Sequence, residues 1–284
     1  LPVTVVDAFA RRSGEGNRAA VVPLADESSD QPAGGLPDER LAALARQLAE
    51  PVTVFVWRTA PDRARLRWFA PSGELPSCGH GTLAAAHLLL AGPDPSGPGP
   101  AGPEQVDFDT ALGLLRADRV GNDLRISMPL VPTRPWQPDA DGVDLAGLLG
   151  VPVLEARRSD RHGLVRVPDA AAVQAVRPDL AALAGAVDTV GLAVTAPGVP
   201  PYDIVSRWFV PRHGLEDQAT GTAHCLLAGY WAERLGRTRL SARQASANGA
   251  DIGLQVQGGD VLLTGGAVTV GQRSIDPGGP GRAR

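Results

Sequence analysis

The chain has 284 residues, 43% of them hydrophobic, with 27 basic side chains against 31 acidic ones and a formal net charge of −4. That apolar content excludes a disordered chain, and the charge excludes a sequence-wide basic field of the kind that draws in nucleic acid or an anionic membrane. Every one of the 27 is Arg, so no Lys amine is present for a Schiff base or a Walker-type phosphate loop, and the length suits two lobes of roughly 140 residues.

Val3 to Phe9 is a β-branched run and reads as a strand. A turn with Gly14, Gly16 and Asn17 follows, then a strand through Ala20 to Val22. The two glycines do not form a dinucleotide fingerprint, because a strand and not a helix comes next. Pro37 to Gln47 has helical spacing, with Leu41, Leu44 and Leu48 on one face. Val52 to Trp57 and Arg63 to Phe69 read as strands, and Thr82 to Leu90 as a short buried helix. Gly92 to Pro103 is rich in Pro and Gly and reads as an exposed loop. Strands resume at Val106 and run toward Met128. Ala193 to Val199 and Tyr202 to Val210 are further strands, Thr222 to Leu235 is a helix, and several short strands close the chain. No apolar run reaches the roughly 18 residues of a membrane span. Two cysteines, Cys78 and Cys225, do not make a disulfide framework, so a reduced, cytoplasmic protein is expected.

The halves repeat a theme. Arg67-Trp68-Phe69-Ala70-Pro71 recurs as Arg207-Trp208-Phe209-Val210-Pro211. The first copy leads to Cys78-Gly79-His80 and an apolar helix, the second to Thr220-Gly221-Thr222 and an apolar helix. A two-residue insertion separates the copies between the Trp and the Gly. Each loop is expected to deliver its glycine to the first turn of a helix, where free N–H groups and a partial positive charge favour an anion. Two such ends facing each other suit a carboxylate or a developing enolate.

The chemistry-bearing residues cluster in these loops. Glu74, Cys78 and His80 lie in the first, and Glu216, Asp217, Thr220, Thr222 and His224 in the second. An imidazole from one side and a carboxylate from the other suit removal of a proton at one carbon and delivery elsewhere. The competing readings are structural. His80 then bonds only to backbone, Asp217 caps a helix or sits in a surface turn, Thr222 is an ordinary helix-start residue and Cys78 a small buried one. Cys225 reads as core and His87 as a satisfied core histidine, whereas His224 lies within a turn of the loop. The five histidines show no zinc-ligand pairing, so neither metal nor cofactor is expected.

Four segments together resemble the PhzF-like, or phenazine-biosynthesis-like, family. They are Val6-Asp7-Ala8-Phe9, Gly16-Asn17-x-Ala19-Ala20-Val21, Arg67-Trp68-Phe69-x-Pro71 through Glu74-Leu75-Pro76-x-Cys78-Gly79-His80, and Glu216-Asp217-x-Ala219-Thr220-Gly221-Thr222-Ala223-His224. They follow the family's order and span nearly the whole chain. The resemblance implies an α+β, diaminopimelate epimerase-like fold of two pseudo-symmetric lobes, each a β-barrel-like sheet around a central helix. The lobes are placed at residues 1–115 and 116–264, with strands near 265–276 crossing back to the first lobe and a disordered tail at 277–284. A homodimer is implied, and so is a small carboxylate substrate bound between the loops without nucleic acid or membrane.

In that family the proton is shifted by a Glu assisted by His, Asp and Ser. His80, Asp217 and Thr222 match the last three. The alignment puts Val52 at the Glu position. On a regular strand Glu50 shares a face with Val52 and could supply the missing carboxylate, although Pro51 disfavours a regular strand there. The implied catalytic set is Asp217, His80, Thr222 and Cys78, with Gly79, Gly81, Thr220, Gly221, Val52 and Asn17 around the substrate. The related two-thiol epimerases place a second Cys where Thr220 stands, so their two-thiol mechanism is not expected. Three outcomes remain: an isomerase of secondary metabolism or antibiotic biosynthesis, a reaction altered toward C–C bond hydrolysis or lysis, and a one-thiol dehydratase or epimerase using Cys78. A catalytically inactive metabolite-binding or resistance protein is the alternative from another class.

Overall fold

The structure is a computed structural model, and it describes residues 1–25, 36–91 and 102–278. Most of the expected loop at 92–103, and the tail from 279, lie outside those residues. The fold is α+β. In chain order the elements are β1 (Pro2–Ala8), β2 (Asn17–Leu24), α1 (Asp38–Leu48), β3 (Val52–Ala60), β4 (Arg63–Ala70), β5 (Gly73–Leu75), α2 (Gly79–Leu90), β6 (Gln105–Thr110), β7 (Gly113–Val120) and β8 (Asp123–Pro129). Then come β9 (Arg134–Pro135), α3 (Leu145–Leu149), β10 (Glu155–Arg158), β11 (His162–Arg166), α4 (Ala170–Ala175), α5 (Leu180–Ala186) and β12 (Gly191–Pro197). The chain closes with β13 (Ile204–Val210), β14 (Leu215–Asp217), α6 (Gly221–Leu235), β15 (Arg239–Gln244), β16 (Ala250–Gln257), β17 (Asp260–Gly265) and β18 (Ala267–Ser274).

Two compact units result, Leu1–Ser127 with Gly265–Arg284, and Met128–Thr264. The division falls inside β8, because β7 pairs along β8 through Asp123–Ile126; residue 115, the boundary read from the sequence, lies within β7. In the first unit β18 pairs with β1, β1 with β2, β2 in parallel with β3, and β3 with β4. One end of β4 pairs with β5 and the other in parallel with β6, which continues to β7 and β8. The second unit repeats this order strand for strand. β9, β10, β11, β12 and β13 follow one another, and β13 carries β14 at one end and β15 at the other, then β16 and β17.

Each sheet has two covered faces. In the first unit, Val3, Val5, Ala20, Val22, Phe55, Trp57 and Phe69 form a core with the Leu41, Leu44 and Leu48 stripe of α1. The opposite, inner face carries α2, which packs on β1, β2, β3, β6, β7 and β18. Helix α2 is apolar all round and buried accordingly. In the second unit, Val165, Leu192, Val194, Val205 and Phe209 pack with Leu149, Val173 and Leu183 of α3–α5 on the outer face. The inner face meets α6, whose Trp231 indole donates to Thr195 Oγ1 at 3.1 Å.

The repeat extends to side-chain detail. Arg67 makes a two-pronged ion pair with Glu74 at 2.7 Å and lies 5.1 Å from the Phe69 ring centre. Arg207 does the same with Glu216 at 2.8 and 2.6 Å, 4.8 Å from Phe209. The two-residue insertion is the longer β13–β14 turn. Ala70 pairs with Gly73 across Pro71-Ser72, whereas Val210 pairs with Leu215 across a 3-10 turn at Pro211–His213 and Gly214.

Candidate active site

In the first unit the site is built on the β1–β2 turn and the start of α2. The Asp7 carboxylate accepts from the Gly14 N–H at 2.8 Å and from Arg18 Nε at 2.8 Å, which fixes the turn from both sides. Gly16 has φ +64°, and a Cβ there would sit 2.0 Å from the Ala8 carbonyl oxygen, so only glycine closes this turn. Asn17 then opens β2 on the inner face. Its amide lies 3.4 Å from His80 Nδ1.

Cys78 is the N-cap of α2, and its Sγ accepts from the Gly81 N–H at 3.4 Å. The same sulfur lies 3.5 Å from His80 Nδ1 and 3.7 Å from Nε2, so thiol and imidazole face each other. The helix starts at Gly79, three residues before the expected Thr82, because Thr82 Oγ1 donates back to the Cys78 carbonyl within an already formed turn. A Cβ at Gly81 would meet Val54 Cγ2 at 2.9 Å, Trp68 Cδ1 at 3.0 Å and Cys78 Sγ at 3.1 Å. Val54 and Trp68 are buried and have nowhere to retreat. Gly81→Ala is therefore expected to destabilise by about 1–3 kcal/mol, despite alanine's better helix propensity, and a lowered denaturant midpoint would register it. The second unit has Ala223 at the matching place.

In the second unit Thr220 is the N-cap of α6, without a side-chain capping bond. Its hydroxyl instead donates to Asp217 Oδ2 at 2.5 Å, so Asp217 orients the loop and does not cap the helix. Gln244, which the sequence reading did not single out, clamps this loop. Its Oε1 accepts from the Thr220 N–H at 2.8 Å, and its Nε2 donates to the Asp217 carbonyl at 2.7 Å. The only signal for Gln244 is its place on β15, in parallel register with Ser206 of β13. Gly221 and Thr222 form the first turn of α6. His224 is core and does not line the site. It is fully buried, bonded through Nδ1 to the Thr220 carbonyl at 2.8 Å, and burial pushes its pKa down to about 4. Cys225 is also core, its thiol pushed up to about 12 by burial. His87 bonds Thr269 Oγ1 at 2.9 Å.

Val52, fully buried, begins β3 on the same face as Val54, toward α2. Glu50 does not stand in for a carboxylate there. Its Oε1 accepts from Arg273 at 2.8 Å, and Arg273 pairs in register with Val3 of the outer core. Proline at 51 thus separates an outward Glu from an inward Val. Asn17, Cys78, Gly79, His80 and Gly81 come together in one unit, and Asp217, Thr220, Gly221 and Thr222 in the other. Among the described residues, no three His, Cys, Asp or Glu side chains gather as metal ligands. Among the described residues, no helix is long and apolar enough to cross a membrane.

A sequence model of the family described as phenazine biosynthesis-like protein matches residues 6–273. An uncharacterized isomerase of Pseudomonas aeruginosa is 40% identical over 266 residues, covering 93% of this chain and 95% of that protein. The crystal structure of a PhzF-family phenazine biosynthesis protein from Enterococcus faecalis superposes with a TM-score of 0.81 at 31% identity, over 95% of this chain and 97% of the other. A probable proline racemase from Agrobacterium radiobacter, 15% identical, shares the fold alone, with a TM-score of 0.59 over 97% of this chain and 92% of that one.

Proposed function

Since the chain belongs to the phenazine biosynthesis-like, PhzC/PhzF family and is isomerase-like, we propose that it moves a proton on a small unsaturated or keto carboxylic acid without a cofactor. The observation that carries this reading is the asymmetry of the repeat. The first unit has Cys78 and His80 where the second has Thr220 and Thr222, and the second has Asp217 where the first has Leu75, each opposite the repeated Trp. One copy thereby keeps an imidazole and the other a carboxylate.

In the proposed reaction the Asp217 carboxylate takes a proton from a carbon adjacent to the substrate's carboxyl or keto group. The electron pair moves into an enolate, and His80 in its imidazolium form protonates a second carbon of the conjugated system, leaving a neutral imidazole; solvent then returns a proton to His80 and takes one from Asp217. Thr222 and the N–H groups at Gly79 and Gly221 hold the carboxylate and the developing negative oxygen, where a helix start stabilises charge. Val52 favours a second outcome. An apolar side chain at the family's Glu position takes away that group's proton transfer, which suits an altered reaction such as C–C bond hydrolysis beside a ketone.

The test is deuterium uptake. Incubated in D2O with a set of small hydroxy, keto and unsaturated acids, the protein is expected to place solvent deuterium on carbon in at least one of them, read by mass spectrometry. Binding of an acid without any exchange or conversion would instead establish a metabolite-binding protein.

A further inference from the structure

On the outer face of the second unit, a cleft of about 450 Å³ opens between α4 and the loop that joins β12 to β13. That volume lies within the range of small-molecule sites. Ala170, Val199, Pro200, Val205 and Ala245 give it apolar walls, and Val199 is left 64% exposed. Arg243, Tyr202, Gln174 and Ser246 supply its polar groups. Asp251 holds two of these in place, its Oδ1 accepting from the Tyr202 hydroxyl at 2.8 Å and from Arg243 Nη1 at 2.6 Å. The guanidinium also lies against the bare backbone of Gly249, where a Cβ would meet Arg243 Nη2 at 2.1 Å. Unlike Arg207 with Glu216, this ion pair is single-pronged, with 37% and 40% of the two side chains exposed. Such a pair is weakly held, and most of the five N–H donors of the Arg fork remain for a second acceptor. The repeat marks the place as one that differs between the copies. Through the matching Trp and strand register, Val205 and Ala196 stand where the first unit has Arg65 and Trp57, the Arg65 guanidinium 4.3 Å over the indole. In the same register Arg243 stands where the first unit has Asp109. Two bulky side chains give way to smaller ones, and an acid to a base.

We propose that this cleft is a second ligand site, separate from the loops at α2 and α6, and that it takes a small organic carboxylate with a planar apolar body. The Arg243 fork bonds the carboxylate, with the Gln174 amide and Tyr202 hydroxyl lining the same cleft, and Val199 and Pro200 cover the apolar body. Nothing in this recognition depends on proton transfer at Asp217. The cleft nevertheless backs onto the Asp217 loop. Gln244 of β15 bonds that loop, while Arg243 and Ala245 on either side of it face the cleft. Ser246, also at the cleft, donates to the Gln218 carbonyl at 2.6 Å, and the Asn248 N–H donates to Gln218 Oε1 at 3.1 Å. An occupant is therefore felt at Gln218, the residue after Asp217.

Benzoate and its uncharged isostere benzamide separate the possibilities in NMR titrations of the full chain labelled with 15N. Benzoate is expected to shift the amides of Tyr202, Arg243, Ser246 and Gln218 saturably, with a Kd of about 1 mM, and benzamide to bind about 10-fold more weakly. Arg243→Gln is expected to weaken benzoate about 10-fold at those amides and to leave any response at Gly79 and Gly221 unchanged. Arg243→Lys, which keeps the charge without the fork, is expected to fall between the two. Benzoate that leaves the four amides unmoved overturns the proposal. So do equal affinities for benzoate and benzamide, which mark an apolar crevice only, and equal benzoate affinities in the wild type and Arg243→Gln. The benzoate–benzamide comparison is made on the wild-type protein and decides the matter even where a variant folds poorly.

Discussion

Asp217→Asn is expected to lower turnover of the exchanging acid by about 10²–10⁴-fold, the usual worth of a positioned general base, while the fold stays intact. The change is nearly isosteric. The Asn carbonyl oxygen can still accept from the Thr220 hydroxyl, and the Gln244 bonds to the Thr220 N–H and the residue-217 carbonyl involve backbone that the substitution does not touch. What disappears is an oxygen able to hold a proton. Turnover and the thermal midpoint measured on the same preparation separate the effects: a collapsed rate with an unmoved midpoint fits the base, and an unchanged rate removes Asp217 from the chemistry. His80→Ala is the companion variant, expected to lower turnover through the other half of the repeat.

The second large effect is on acid stability. His224 is fully buried, and burial holds its pKa near 4, although the bond to the Thr220 carbonyl pulls the other way. In the unfolded chain the same ring titrates near 6.5. Between those values the unfolded state binds the extra proton, so stability rises with pH through this window and is lost as pH falls. Between pH 7 and pH 5 this one ring removes about 2 kcal/mol of stability. Thr82 occupies the corresponding turn of α2 and makes the same backward bond to the Cys78 carbonyl with a hydroxyl that does not titrate. His224→Thr is therefore expected to cost stability at pH 7 through lost packing yet flatten the acid limb. Denaturant midpoints of both proteins at the two pH values test it; parallel acid limbs would show that His224 is not the proton acceptor.

Much of the site was legible because its signals are local. A glycine followed by an apolar run marks a helix start, and Arg67-Trp68-Phe69 repeated as Arg207-Trp208-Phe209 exposes the duplication before any fold is known. Asn17 was legible through the motif around it. What stayed hidden depends on register between distant strands. Gln244 and Arg243 acquire their neighbours only through strand pairings such as β13–β15, which have no local signature. The short helices α3–α5 lie in Ala- and Gly-rich sequence whose apolar spacing is too brief to show a period, and three Asp side chains, Asp144, Asp169 and Asp179, start them as N-caps. Glu50 shows the limit of alternation arguments, since a single Pro between two residues is enough to send their side chains to opposite faces.

In the first unit β1 is flanked by β18, and the Ile275 N–H donates to the Leu1 carbonyl across the same edge. On the ribosome, the strand that must border β1 is therefore translated only after the entire second unit has been made. Until it is made, the early-emerging part carries an open sheet margin along β1.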